Sequence, residues 1–258
     1  MKFSILITSY NKGQYLEECI TSCLSQTNKN FEIIVCDNYS NDNSSQIFEK
    51  YQQNIKLIRK EKISNFSPIN QIDLIKSGFL NCSGDIICLL DADDYFFPNK
   101  LEVIEKEFIS QKSLDAIFDL PLIKKKKILN KFKIKNKIQK NIWPTIINTS
   151  SISISKFFLE KCIKRKMLEN FNFLEIDFRL NIYSRCIDKN FIVINEDVTV
   201  YRQVQDSIMF NIKKYSPLWW QKRLQAHKFM KEHYNKNNLQ YSNKVDYGVS
   251  KLISKILN

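Results

Sequence analysis

Two signals alternate through the first hundred residues, and that alternation limits the fold more than any other feature of the chain. "FSILIT" near the N-terminus is a continuous apolar run, the kind buried on both faces of a parallel sheet. Behind it Leu16, Cys19, Ile20, Cys23 and Leu24 recur at the i, i+3, i+4, i+7, i+8 spacing of an amphipathic helix. "FEIIVCD" (Phe31–Asp37) is a second strand, and the turn-rich "NYSNDNSS" leads to a helix over about Asn43–Tyr51. "IKLIRK" is a third strand, followed by a helix from Pro68 to Phe79 with proline at a permitted helix start. "DIICLLD" is the fourth, and Pro98 opens a helix carrying Leu101, Ile104 and Phe108. This βαβαβαβ order predicts an α/β protein with a doubly wound, mostly parallel sheet. Ligands of such sheets bind beyond the carboxyl ends of the strands. Three strands end in polar clusters, "TSYN", "DNYSND" and "DADD", so all three are expected on one rim.

The last cluster poses an electrostatic problem. In "GDIICLLDADDYFFP" (Gly84–Pro98) a buried strand ends in Asp91, Asp93 and Asp94. Two carboxylates about 4 Å apart near a protein surface cost roughly 4 kcal/mol at an effective dielectric of about 20, so a positive partner is expected. Hard oxygen ligands suit Mg²⁺ or Mn²⁺. An acidic loop or helix cap is the alternative, and for Asp94 it is the expected one.

After Asp119 the pattern changes. Lys131–Ile138 alternates lysine with apolar residues, as in a half-exposed strand or hairpin arm. "TIINTSSISIS" reads as a strand followed by a helix near Ser155, Phe173–Cys186 as a helix, and "FIVINEDVTVYR" as one or two strands. From Ser216 the signal is helical to the end, apart from an Asn-rich break near Asn235–Asn243. The predicted organisation is one domain over 1–212, with a parallel α/β half (1–118) and an α+β half (119–212), then a basic helical C-terminal extension over 213–258.

At 258 residues the chain can bury a substantial core. No apolar run approaches 18 residues, so no transmembrane helix is expected, and "MKFSILITSYNKG" reads as a first strand and not as a signal peptide. Seven cysteines without a C-x-x-C pair fit a reduced cytoplasmic compartment and buried thiols, with Cys19 and Cys23 packing in a helix. The net charge of +13 invites nucleic acid, an anionic membrane or a polyanionic substrate. It is uneven: no acid lies between Asp119 and Glu160. A general abundance of Lys, Asn and Ile, as in AT-rich coding, weakens the charge as a signal, and no nucleic-acid module accompanies it. In "PLWWQKRLQAHKFMKEHY", Trp219 and Trp220 beside Lys222, Arg223, Lys228 and Lys231 resemble an interfacial amphipathic helix. The other reading is a helix packing its tryptophans on the preceding domain. His227 and His233 are expected on the surface of this helix.

"ILITSYNKGQYLEECITSCLSQT", "FEIIVCDNYSNDNS" and "GDIICLLDADDYFFPNKLE" together resemble the bacterial inverting family 2 glycosyltransferases, which have the nucleotide-sugar-binding GT-A fold. The likeness is dense over about residues 1–110, thins towards Arg202 and is absent from the tail. It implies that Asp93 of Asp91-Ala92-Asp93 is the metal ligand, with Asp91 partnering the ribose or a metal-bound water. Thr8-Ser9-Tyr10-Asn11 resembles the segment lining base and ribose. Asp37-Asn38 stands where the family shows two acids, and an asparagine both donates to and accepts from a base edge. Lys62 is placed to reach base or phosphate, or to remain a solvated lysine. The resemblance places the catalytic base, which takes the acceptor hydroxyl's proton, at Asp177 of "NFLEIDFRLNIYSR", with Glu175 as the alternative. Many members carry Tyr-Arg and then a histidine that approaches the metal or diphosphate. Here Tyr201 and Arg202 match but Val204 stands at the histidine position, which leaves Gln203, Gln205 or water for that contact and Arg202 for the diphosphate.

The implied activity is metal-dependent inverting transfer from a nucleotide-sugar, UDP-linked by preference, to a glycan or lipid-linked acceptor in bacterial surface polysaccharide or lipooligosaccharide synthesis. An anionic membrane surface is a further expected partner and nucleic acid is not. Two alternatives stand beside this. A nucleotidyltransferase commonly carries a glycine-rich phosphate loop, which a chain with four glycines does not provide near its first strand. The other is a non-catalytic nucleotide-sugar-binding protein, degenerate at the Val204 position.

Overall fold

The computed structural model describes residues 1–126, 128–131, 148–204, 212–237, 241 and 243–257. Its centre is a seven-stranded sheet of β1 (Phe3–Ser9), β2 (Phe31–Asp37), β3 (Lys56–Arg59), β4 (Ile86–Asp91), β6 (Ala116–Asp119), β9 (Ile152–Ser155) and β10 (Phe191–Ile194). The order is β10-β6-β9-β4-β1-β2-β3, and only β9 runs against its neighbours. A second sheet orders β5 (Tyr95–Phe96), β11 (Thr199–Arg202), β7 (Leu122–Lys125) and β8 (Ile128–Lys131) as β5-β11-β7-β8. The helices are α1 (Gly13–Leu24), α2 (Ser44–Lys50), α3 (Ser67–Phe79), α4 (Lys100–Ser110), α5 (Lys156–Lys164), α6 (Ile176–Tyr183), α7 (Pro217–Lys236) and α8 (Lys244–Ile256).

The period-2 alternation of a strand sends successive side chains to opposite faces, and the central strands are apolar on both. Ile5 and Ile7 of β1 face the core made with α1 and α4, whereas Leu6 joins Leu89, Ile75 and Phe158 on the other face. Fully burying one such side chain is worth about 1.5–3 kcal/mol, so the sheet is held from both sides. Cys19, Cys23, Cys36 and Cys88 are buried free thiols in these cores. The register sets Thr8 opposite Cys36 on one side and Asp91 on the other, which brings three strand ends level on one rim.

Several elements differ from expectation. The helix predicted from Phe173 starts at Ile176, because Arg179 gathers the carbonyls that precede it. Its guanidinium donates to the carbonyl oxygens of Met167, Glu169, Asn170, Phe171 and Leu174 at 2.6–3.1 Å. Chain so wrapped around one side chain cannot also satisfy those carbonyls helically. "FIVINEDVTVYR" divides into β10 and β11, in different sheets. Thr149–Ser151 is a 3-10 turn, and the strand of that region is only Ile152–Ser155. Lys131 ends β8, and the rest of the alternating lysine segment lies outside the described residues.

The tail differs too. His227 and His233 are not surface residues: they are 0% and 4% exposed. They lie on the inward side of α7, where Ala226, Phe229 and Met230 join the core shared with α3, α5 and α6. His227 Nε2 approaches Asp246 Oδ2 of α8 at 3.1 Å. Trp219 and Trp220 remain half-exposed, edge-to-face with one another at 4.7 Å.

Candidate active site

The rim is built by two loops fastened together. After β1 the chain turns through Asn11 at φ 50°, a left-handed conformation that asparagine tolerates. The Asn11 N–H donates to Ser40 Oγ at 2.8 Å, and Asn11 Oδ1 accepts from the Asn41 N–H at 3.0 Å. Gly13 opens α1 against the second loop so closely that a Cβ there would lie 2.0 Å from Asn43 Oδ1. Only glycine allows that approach, and its N–H donates to Asp42 Oδ2 at 2.8 Å.

Beyond the strand ends lies an open cleft of about 250 Å³. Asp91, Asp93 and Asp94 have three different environments there. Asp91 Oδ1 accepts from Thr8 Oγ1 at 2.9 Å and Gln71 Nε2 at 2.7 Å. Burial, and then the charge of Asp93, push its carboxyl up to about 6. Asp93 turns its carboxylate to Lys12, with Nζ 3.1 Å from Oδ2, while its carbonyl accepts from Arg202 Nη1 at 2.8 Å. Asp94 points away from the cleft and is completely buried. It accepts from the Arg202 N–H (2.8 Å), Ser150 Oγ (2.5 Å) and Asn148 Nδ2 (3.1 Å). Asp94 therefore ties β5, β11 and the turn before β9 together and is not a helix cap. Lys100 does parallel work below it, fully buried, with Nζ on Asp119 Oδ2 (2.5 Å), Thr199 Oγ1 (2.8 Å) and the Ser150 carbonyl (3.2 Å).

The opposite wall comes from the start of α6. Glu175, Asp177 and Tyr201 line the same cleft as Asp91 and Asp93. Asp177 is 9% exposed, and its Oδ1 accepts from the Phe178 N–H at 2.6 Å. Burial, and then the neighbouring Glu175, push its carboxyl up to about 8, against a lowering contribution from Lys222. Lys222, on α7, makes an ion pair with Glu175. Asp177 thus presents, on the wall of the cleft, a carboxyl raised well above the usual carboxylate range.

Most of the residues singled out in the sequence meet in this cleft: Thr8, Tyr10, Asn38, Lys62, Asp91, Asp93 and Asp177 all line it. Lys62 Nζ sits 3.1 Å from the centroid of the Tyr10 ring. Asp37 and Arg202 are not in the lining. Asp37 is fully buried beneath the rim, accepting from Ser40 Oγ (2.5 Å) and the Ser40 N–H (2.8 Å), with Arg59 Nε at 3.5 Å. Asn38 stands in front of it and donates from Nδ2 to the Lys60 carbonyl at 3.0 Å. Arg202 pairs with Glu18 and borders a separate cavity with Gln203 and Val204. Gln205 lies outside the described residues. The sequence reading missed Lys12, Gln71 and Ser150 as site residues, and Lys222, expected among the basic residues of an interfacial helix, instead pairs with Glu175 at the cleft. Only for Lys12, beside "TSYN", was a signal available.

Among the described residues no three His, Cys, Asp or Glu side chains converge as a cage for a metal ion. The cleft offers two hard carboxylates, Asp91 and Asp93, and the Asp91 carboxyl is raised by burial first and by the charge of Asp93 second. That donor set fits an ion of the Mg²⁺ or Mn²⁺ kind that takes its remaining ligands from a bound phosphate group and water.

Among solved structures, the chain resembles residues 1–349 of S. aureus TarS in complex with UDP-GlcNAc, with a TM-score of 0.66 at 15% identity over 100% of this chain and 71% of that one. It also resembles the mannosyltransferase PcManGT of Pyrobaculum calidifontis in complex with GDP-Man and Mn²⁺, with a TM-score of 0.57 at 12% identity over 99% and 69%. These likenesses give the fold, which is GT-A. By sequence it is 32% identical over 125 residues to an uncharacterized glycosyltransferase of Nostoc sp., covering 48% of this chain and 38% of that protein. It is 30% identical over 118 residues to the chondroitin synthase of Pasteurella multocida, covering 45% and 12%. The chain thus spans well under two thirds of the length of either relative. The pattern described as Glycosyl transferase family 2 matches residues 4–163, more than half of the chain and all of the Asp91–Asp94 rim: this chain belongs to glycosyl transferase family 2.

Proposed function

We propose that this chain moves a sugar from a nucleotide-sugar donor to a hydroxyl of a glycan or lipid-linked acceptor, with inversion at the anomeric carbon. The observation that carries the reading is Asp177 facing Asp91 and Asp93 across one cleft, with its carboxyl raised to about 8. The nucleoside lies against Thr8, Tyr10, Asn38 and Lys62. Asp37 supports Asn38 from beneath, and Asp91, held by Thr8 and Gln71, accepts from the ribose. Asp93, steadied from behind by Arg202, is the protein's ligand to Mn²⁺ or Mg²⁺, and the ion, when bound, supplies charge neutralisation for the departing diphosphate. Asp177 takes the acceptor hydroxyl's proton as that oxygen bonds to C1 and the bond from C1 to the diphosphate oxygen breaks. Glu175 raises the proton affinity of the base and Lys222, paired with Glu175, lowers it.

UDP-linked donors are the preferred class, supported by the likeness to a protein crystallised with UDP-GlcNAc. The division of labour is a donor half over 1–118, an acceptor half over 119–212 and a helical extension over 213–258. The setting is surface polysaccharide or lipooligosaccharide synthesis at the cytoplasmic side of the membrane; no helix among the described residues is long and apolar enough to cross it.

The test pairs two measurements on the parent and Asp177→Asn. Hydrolysis and transfer are screened over UDP-, GDP- and CDP-sugars with Mn²⁺ or Mg²⁺, and donor binding is followed by calorimetry. The variant is expected to lose turnover by a factor of about 10³ or more while binding donor with unchanged affinity. A parent that neither binds nor hydrolyses any donor refutes the reading; a parent that binds with no turnover leaves a sugar-nucleotide binder in its place.

A further inference from the structure

The largest aliphatic side chains of α8 are mostly turned away from the rest of the protein, unlike those of a helix that meets only water and its own protein. Such a helix turns its apolar side inward. On its inward side α8 buries Ser250 and Ser254, 0% and 4% exposed, with neither hydroxyl partnered among the described residues, and half-buries Tyr247, which packs on His227, and Ile253. The outward residues are Val245, Val249, Leu252 and Ile256, at 81%, 43%, 61% and 71% exposure. Their spacing of four, three and four residues makes one continuous stripe along the helix. Helices bury valine and leucine before serine unless the apolar side has a partner of its own.

The charge beside the stripe identifies that partner. At 100° per residue, Lys244, Lys251 and Lys255 fall together along one edge of it. The helix's one acid, Asp246, is held by Arg223 of α7. That arginine also stacks on Trp219 at 5.1 Å, which sets the cluster of Tyr215, Trp219 and Trp220 next to the N-terminal end of α8. Tyr215 and Leu218 are exposed. Aromatic rings of this kind favour the interface between water and acyl chains. A second copy fits the stripe poorly: lysine rows would meet lysine rows, and α8 has no unengaged acid to offset them. An anionic headgroup layer offsets them directly.

We propose that α8 lies in the plane of an anionic bilayer surface, its Val245–Val249–Leu252–Ile256 stripe in the acyl boundary and its lysines among the headgroups. The surface gives the proposed lipid-linked acceptor a place to be met; it rests on that reading for its purpose only, since its test involves no substrate. The full chain is sedimented with phosphatidylcholine vesicles and with vesicles containing one third phosphatidylglycerol. Binding to the anionic vesicles is expected to be at least tenfold tighter, with a blue shift of tryptophan fluorescence. Leu252→Asp, at an exposed position, is expected to lower it about tenfold or more with an unchanged thermal midpoint. Each lysine near such a surface is worth about fivefold, so Lys251→Gln with Lys255→Gln is expected to remove roughly 25-fold and most of the salt dependence. Equal recovery on both vesicles, or no effect of Leu252→Asp, overturns the proposal. So does a parent that runs as a dimer, binds no vesicles and becomes monomeric in Leu252→Asp, because a second copy then covers the stripe. Transfer activity survives any of these results if the glycosyltransferase reading holds.

Discussion

Asp177→Asn keeps the size of the side chain and the acceptor for the Phe178 N–H, and it removes a buried carboxyl that must ionise as pH rises. The asparagine enzyme is therefore expected to be more stable than its parent, by an amount that depends on pH. The sign follows from linkage. The Asp177 carboxyl is raised from an ordinary 3.8 to about 8, first by burial and then by Glu175. A group raised in the folded state stabilises it fully below its unfolded pKa and loses that contribution as pH rises through the folded value. The parent thus loses stability between about pH 4 and pH 8, and the asparagine variant, with no proton to lose here, does not. A tenfold change in proton affinity is worth about 1.36 kcal/mol, so the full displacement corresponds to about 6 kcal/mol. Buried sites respond as if their effective dielectric were about 20, and the expected gain at pH 8 is about 1–3 kcal/mol. Urea unfolding of both proteins at pH 4, 6 and 8, with the Glu175→Gln background as a control, measures it. The gap should open with pH in the native background and narrow in Glu175→Gln, where the second cause of the raised pKa is gone. Parallel stability curves, or an asparagine variant that is the weaker protein at pH 8, would refute the placement of Asp177 as a buried, strained carboxyl.

Asp94→Ala leaves the Arg202 N–H, Ser150 Oγ and Asn148 Nδ2 without their acceptor in a buried place; at about 1–3 kcal/mol per orphaned group it should cost at least about 3 kcal/mol in urea. Asp94→Asn replaces one of the two acceptor oxygens by an NH₂ donor that faces donors, but relieves a carboxyl raised by burial and by Asp93 and Asp91; it should cost about 1–3 kcal/mol in the same assay. Lys222→Met removes a cation that lowers the Asp177 carboxyl, so the acid limb of the pH–rate profile should move up by about one pH unit while donor KM stays within twofold; an unmoved limb assigns Lys222 to packing alone. Chelation with EDTA should abolish transfer and Mn²⁺ restore it, and calorimetry should show Asp93→Asn losing the metal dependence of donor binding.

The rim was legible because each of its signals sits in a few consecutive residues. A strand end and the loop after it are local objects, and a parallel sheet places successive strand ends side by side, so "TSYN", "DNYSND" and "DADD" could be assembled without knowing which helix covered which face. The same local pattern could not separate neighbours within a cluster. Asp37 and Asn38 are adjacent in sequence, yet the alternation of a strand sends one carboxylate under the rim to Ser40 and leaves the amide in the cleft. Asp93 and Asp94 divide in the same way, and what buries Asp94 is a donor set drawn from Asn148, Ser150 and Arg202, which no spacing rule connects.

The tail resisted sequence reading for a related reason. Periodicity establishes that a helix has an apolar side but not which side the rest of the protein takes. In α7 the tryptophans drew attention, while Ala226, Phe229 and Met230 made the packing and drew both histidines inside. In α8 the inward side is the one with the serines. Lys222 combines both difficulties: it lies on a helix whose orientation only packing decides, and beyond residues 4–163 that the family pattern matches, yet it reaches Glu175 beside the proposed base. A chain that spans only part of its relatives can share their donor rim and still differ in what surrounds the base. The wall built from α6 and α7 is accordingly where acceptor choice and pH response should diverge from other members, and substitutions there should alter those properties before they alter donor binding.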